Sequence, residues 1–217
     1  MEIDLLREYP KTTRNLDRRA AERTDEDRET ARRFDREFFD GERRTGYGGY
    51  NYHPRFWQPV VATMREHYGL HAGHRILDVG CAKGFMLHDF REIIPGVEVF
   101  GLDISEYAVS NSMDDVQSRL VVGTARQLPF PDAYFDLVIS INTVHNLEHD
   151  DCITSLLEIE RVTRGNSFIT VDAYNNEDEQ RRMNMWNLTA LTYMSVAEWK
   201  TLFKKIGFKG DYHWFIP

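Results

Sequence analysis

The chain has 217 residues, 41% hydrophobic and 29% charged, with 27 basic against 35 acidic side chains and a formal charge of −8. That length holds one domain with a sizeable core plus an extension, and the acidic balance argues against a primary nucleic-acid binder. Its two cysteines, Cys81 and Cys152, make no disulfide framework and no zinc-ligand spacing; with no apolar leader and no run long enough to span a bilayer, a cytoplasmic protein without a membrane partner is expected.

Residues 13–39 fit a charged helix with an apolar edge at Leu16, Ala20, Ala31, Phe34, Phe38 and Phe39. The plainer reading is a surface helix packed by its few aromatics; the functional one is a lid over a pocket. Gly41 is expected to end it as a left-handed residue. Glycines and tyrosines then alternate through Gly46-Tyr47-Gly48-Gly49-Tyr50-Asn51-Tyr52. A tyrosine face attracts a cation and its hydroxyl can orient a substrate, so Tyr50 is a catalytic candidate; the alternative is a connector whose tyrosines merely pack. Residues 1–50 are read as a helical extension with a lid loop, and 51–217 as the ligand-binding domain.

Pro54–Tyr68 carries Phe56, Trp57, Val60, Val61, Met64 and Tyr68 at helical spacing, and Pro59 is expected to kink that helix or delay its start. The next stretch, RILDVGCAKGFMLHDF at 75–90, organises the chain. Ile76, Leu77 and Val79 read as a buried strand, Gly80 and Gly84 as a tight turn, and Phe85, Met86, Leu87 and Phe90 as a helix. These are the parts of a nucleotide site at the carboxyl edge of a parallel sheet, where glycine lets the backbone approach a ligand. Three residues separate Gly80 from Gly84, which is not the dinucleotide spacing. A second strand, Val97–Leu102, leads to Asp103, 19 residues after Gly84 and 23 after Gly80; an acid there can accept hydrogen bonds from both ribose hydroxyls. Ser105–Asp115 reads as one helix capped by Ser105.

Leu120–Gly123 is a third strand, and Thr124-Ala125-Arg126-Gln127-Leu128-Pro129-Phe130 follows. Tyr134–Ile141 is a fourth and runs into Asn142-Thr143-Val144-His145. Asp151–Val162 is an amphipathic crossover helix, Arg164-Gly165-Asn166 a turn, and Ser167–Val171 a fifth strand ending at Asp172-Ala173-Tyr174. A polar segment, 175–184, precedes a helix from Val196 to Ile206 with Ser195 and Glu198 as its capping box. One strand-like piece, Asp211–Ile216, ends the chain. The alternation calls for an α/β fold with a doubly wound, mostly parallel, Rossmann-like sheet.

The glycine turn resembles motif I of the class I S-adenosylmethionine (SAM) methyltransferases, D-x-G-x-G-x-G, with Ala82 in place of the middle glycine. The segment at 124–130 is similar to the G-D-A-x-x-L-P-F of small-molecule members, with Thr124 in place of the aspartate. The resemblance covers residues 70–210 and implies the class I methyltransferase fold, with SAM as cofactor and a small-molecule substrate. It implies that Asp78, Gly80, Ala82 and Gly84 surround the methionine and ribose end, Asp103 binds the ribose and Ile104 lies against adenine. Thr124 or the Ala125 amide would carry adenine recognition, and Asn142 would touch the methionine amine or an acceptor. Lys83 would extend into solvent or pair with the SAM carboxylate. His145 is the candidate base, its alternative a histidine bonded to backbone. Tyr174 is expected to face the same mouth, and Asp172 either pairs with an amine substrate or caps a turn. The family's sheet ends in an antiparallel hairpin; with one strand evident after 210, an abbreviated edge is expected. Methyl transfer to a metabolite oxygen or nitrogen is the leading reading. Its rival is a methyltransferase-like cyclase that displaces at another carbon of the sulfonium, releasing methylthioadenosine and a cyclic amino acid such as azetidine-2-carboxylate. A third reading is a non-catalytic SAM-binding module. The oligomeric state is left open, a homodimer included.

Overall fold

In the computed structural model, residues 1–11, 16, 21 and 23–217 are described. Positions 12–15, 17–20 and 22, with Ala20 among them, lie outside the described residues, and so does that part of the helix expected over 13–39. Beyond them the chain forms two short helices, α1 (Asp25–Ala31) and α2 (Arg36–Phe39), rather than one. Phe34 interrupts them at φ +52°, and the Asp35 side chain starts α2 by accepting from the Glu37 amide. Gly41 is not left-handed; glycine is required there because a Cβ would lie 2.5 Å from the Glu37 carbonyl oxygen. Helix α3 spans Pro54–Tyr68 and ends at left-handed Gly69. Pro59 lies inside it, so it does not delay the start.

Seven strands follow: β1 (Arg75–Val79), β2 (Glu98–Asp103), β3 (Leu120–Val122), β4 (Phe135–Ile141), β5 (Thr163–Tyr174), β6 (Met194–Ser195) and β7 (Asp211–Phe215). The order is β3-β2-β1-β4-β5-β6, with β7 also paired to β5, and every pairing among these strands is parallel. The edge expected to be abbreviated carries two strands, β6 and β7, both parallel to β5, and among the described residues they form no antiparallel hairpin. The connections are α4 (Phe85–Ile93), α5 (Glu106–Ser110), α6 (Asp114–Gln117), α7 (His149–Val162), α8 (Glu177–Trp186) and α9 (Val196–Ile206).

Two expectations fail locally. The helix expected over 105–115 splits into α5 and α6, because the Met113 amide turns inward to the Lys83 carbonyl; Ser105 still caps α5 by accepting from the Ala108 amide. Arg164-Gly165-Asn166 is not a turn but the start of a longer β5. Gly165 permits this, since a Cβ there would stand 2.4 Å from the Asp136 carbonyl oxygen.

Alternate residues of the same strands bury opposite faces. Ile76, Leu137, Ile139 and Phe168 pack with Val60 and Met64 of α3 and Leu87 and Phe90 of α4. Leu77, Val79, Val138 and Ile169 pack with Leu156 and Ile159 of α7 and Trp199 and Phe203 of α9. The chain winds β1-β2-β3 one way and β4-β5 the other, so the switch point, where such sheets take ligands, lies between the ends of β1 and β4.

Candidate functional site

At that switch point the turn after β1 is built from left-handed residues: Gly80 at φ +88°, Ala82 at +49° and Gly84 at +73°. Gly80 is doubly constrained, because a Cβ would also lie 2.1 Å from Thr143 Oγ1. The amides of Gly80 and Cys81 both donate to the Leu102 carbonyl, at 2.7 and 3.1 Å, tying the turn to β2. Asp103 completes the frame. Its two carboxylate oxygens accept from the Ala82 amide at 2.7 Å and the Ser105 amide at 2.9 Å. A carboxylate offers about four lone-pair sites, so each oxygen keeps capacity for a ribose hydroxyl. Burial raises its pKa, opposed by the backbone donors of Ser105, Ala82 and Ile104. Beside it Ile104 is 57% exposed, an apolar face at the crevice rim.

Asp78 carries the sharpest electrostatic signal. It is 5% exposed, and no donor among the described residues reaches its carboxyl. Burial, with the charge of Asp103 adding, pushes its pKa up to about 8. A buried carboxyl without a counter-charge is costly, and a cationic ligand would remove that cost. The residues therefore fit SAM: Asp78 would face its positive charge, Asp103 would take the ribose and Ile104 would lie against the adenine.

On the opposite side, Asn142 ends β4 at φ +52°. Its Oδ1 accepts from the Thr170 hydroxyl at 2.9 Å, and its amide donates to Thr170 Oγ1 at 2.9 Å, which holds the exposed side chain over the crevice. His145 corrects an expectation. It is 3% exposed, and its Nδ1 accepts from the Asp172 amide at 3.1 Å, so the lone pair a base would use is occupied. Burial lowers its pKa against the pull of Asp172. The Tyr174 hydroxyl accepts from Gln180 Nε2 at 3.1 Å, and burial raises its pKa, with the charges of Glu198 and Tyr193 adding. Thr124 Oγ1 accepts from the Arg126 amide at 3.3 Å, beside buried Ala125.

The Tyr50 loop does more than connect. Asp40 binds Lys83 Nζ at 2.6 Å, the Tyr107 hydroxyl at 2.7 Å and the Tyr50 amide at 2.9 Å, and Lys83 also donates to the Tyr50 carbonyl at 3.0 Å. Burial alone would raise the Asp40 carboxyl, but donors led by Lys83 hold it below the usual range. Lys83 thus neither extends into solvent nor waits for a carboxylate. The Tyr50 ring stacks on Phe85 at 4.9 Å. Burial pushes its phenol well up, reinforced by the charges of Tyr47, Tyr9, Asp78 and Asp103. The Tyr52 hydroxyl fastens the far end to Asp89 at 2.6 Å. Sequence reasoning missed Asp40, Tyr107 and Asp89; each is a single polar residue in no motif, and its partners are remote in sequence.

A methyltransferase domain family matches residues 77–171, from β1 to β5. Sterol 24-C-methyltransferase of Gibberella zeae is 34% identical over 142 residues, 55% of this chain and 36% of that protein. The 27-O-demethylrifamycin SV methyltransferase of Amycolatopsis mediterranei is 31% identical over 120 residues, 46% of this chain and 43% of that protein. The chain therefore spans less than half the length of these two curated relatives. The crystal structure of the YcgJ protein from Bacillus subtilis superposes with a TM-score of 0.56 at 23% identity, over 67% of this chain and 66% of that one, a likeness of fold. The matched span contains the glycine turn, Asp103 and the end of β4, and over it the chain is similar to SAM-dependent methyltransferases in sequence and, from the YcgJ comparison, in fold.

Proposed function

We propose that the protein transfers a methyl group from SAM to an oxygen or nitrogen of a small-molecule metabolite. The observation that carries this is Asp78, a buried carboxyl without a donor next to a left-handed glycine turn and the amide-bound Asp103. When bound, SAM supplies an electrophilic methyl group on a sulfonium whose leaving group is a neutral thioether. The protein's share is positioning and exclusion of water. Asp78 compensates the ligand's positive charge, Asp103 orients the ribose and Ile104 packs the base. Asn142 presents an amide toward the reacting end, and the Tyr50 ring closes the crevice on the side of Phe85. A small acceptor is supported by the relatives whose names give a sterol or a rifamycin as substrate. Among the described residues no helix is long and apolar enough to cross a membrane.

Mass spectrometry of the protein incubated with SAM, alone and with a metabolite extract, tests the reading. S-adenosylhomocysteine that forms only with extract is the expected result and identifies the acceptor by its added methyl mass. Methylthioadenosine from SAM alone would replace this reading with intramolecular cyclisation. Intact SAM in both incubations would leave a binding module.

A further inference from the structure

Asp172 lies near the end of β5, and three elements fix its main chain. Its amide donates to His145 Nδ1 at 3.1 Å and its carbonyl accepts from Trp199 Nε1 at 3.0 Å. Across the sheet it pairs with Phe215 of β7. The carboxyl is left over. Asp172 is 5% exposed, yet no donor among the described residues hydrogen-bonds either carboxyl oxygen. His145 Nε2 stands 3.8 Å from Oδ1, too far for a hydrogen bond. Turn capping does not explain this, because a capping aspartate accepts from nearby amides.

Its place explains it better. Thr170 and Asp172 share a face of β5, and the Thr170 hydroxyl donates to Asn142 Oδ1 at 2.9 Å. The carboxyl therefore lies one pleat beyond the pair that holds Asn142 at the crevice, at the sheet edge where ligands enter.

We propose that Asp172 binds the acceptor and that the acceptor is an amine, which enters as an ammonium ion; this rests on the methyl-transfer reading. A cation compensates a buried carboxylate that has no donors, whereas a neutral hydroxyl leaves its charge in place. Burial favours the neutral form of both partners, so one ammonium proton passes to the Asp172 carboxylate. The freed lone pair forms the N–C bond to the methyl carbon as the C–S electron pair goes to sulfur. The product leaves as an N-methylammonium ion, and Asp172 returns its proton to water.

The test reads binding with the SAM site filled by saturating S-adenosylhomocysteine, so that Asp78 is closed to the probe and no methyl is transferred. Benzylammonium chloride and benzyl alcohol are titrated into the full chain and followed by ligand-observed NMR. The amine is expected to bind at least tenfold tighter than the alcohol. Asp172→Asn is expected to abolish that preference while it binds SAM as the wild type does, which also reports its folding. Equal binding of the two probes, binding of neither, or an undiminished preference in Asp172→Asn would overturn the proposal. The wild-type comparison decides alone if the variant does not fold. Release of methylthioadenosine from SAM with amine preference intact would instead overturn the transfer reading and leave the cation site standing.

Discussion

Asp78 couples ligand binding to pH. Its folded-state pKa of about 8 lies above the ordinary value of 3.8, so the folded chain holds a proton that the unfolded chain has lost between those limits. Stability attributable to this residue therefore falls as pH rises through that window. Asp78→Asn is expected to raise the melting temperature at pH 8 and leave it unchanged at pH 3.5, while it weakens SAM binding at pH 8 and has little effect on it at pH 3.5, where Asp78 is already neutral. Binding of the cation should release a proton, so wild-type affinity for SAM rises by up to about tenfold per pH unit below 8; calorimetry in buffers of different ionisation enthalpy measures this directly. On the proposed reading, Asp103→Ala removes both ribose acceptors. It should cost about 2–4 kcal/mol of SAM binding, on the order of 100-fold. Gly80→Ala places a Cβ against Thr143 at a left-handed position and should destabilise by roughly 2–4 kcal/mol, as read by denaturant unfolding.

Among the elements, the segment from α2 to Tyr52 behaves as a strap with a latch at each end. Asp40 joins Lys83, Tyr107 and the Tyr50 amide, and the Tyr52–Asp89 bond closes the far side. Asp40→Ala leaves the largely buried Lys83 ammonium without its partner, which should cost about 3 kcal/mol. Asp40→Asn keeps the acceptor and loses the charge. Limited trypsin digestion, read by mass spectrometry, should then cut after Arg43 and Arg44 several-fold faster than in the wild type, and added SAM should restore protection. Unchanged cleavage in both variants would show that the strap does not depend on Asp40.

For the whole molecule, two sets of carboxyls shape the pH profile. Arg164 holds Asp136 below the usual range, as Arg161 holds Glu158; the stability they contribute is present above the unfolded pKa and is lost as pH falls through the folded one. Asp78, Asp103 and Asp172 are raised, each chiefly by burial, and act in the opposite sense. Thermal melts from pH 3 to pH 9 should show an acid limb from the first set and, from the second, a decline above the ordinary carboxylate range that Asp78 carries to about pH 8. Saturating SAM should remove much of that decline, because the ligand's cation favours the ionised Asp78.

The alternation of strands and helices, the turn at Gly80 and Gly84 and the position of Asp103 were legible in sequence, because strand, turn and cap signals act over a few residues. Local signals failed where a distant partner decided the outcome. Gly165 reads as a turn but lies in β5 because Asp136 passes too close for a Cβ. The helix expected over 105–115 breaks where Met113 reaches Lys83. Chemistry at the site followed the same rule. His145 reads as a base, yet its lone pair meets an amide 27 residues away, and Lys83 finds Asp40 across 43. Periodicity and glycine spacing determined the frame of a SAM-binding sheet. Which carboxyls are satisfied and which stand without a donor was decided only by the tertiary structure, because burial and hydrogen-bond partners exist only once remote segments meet.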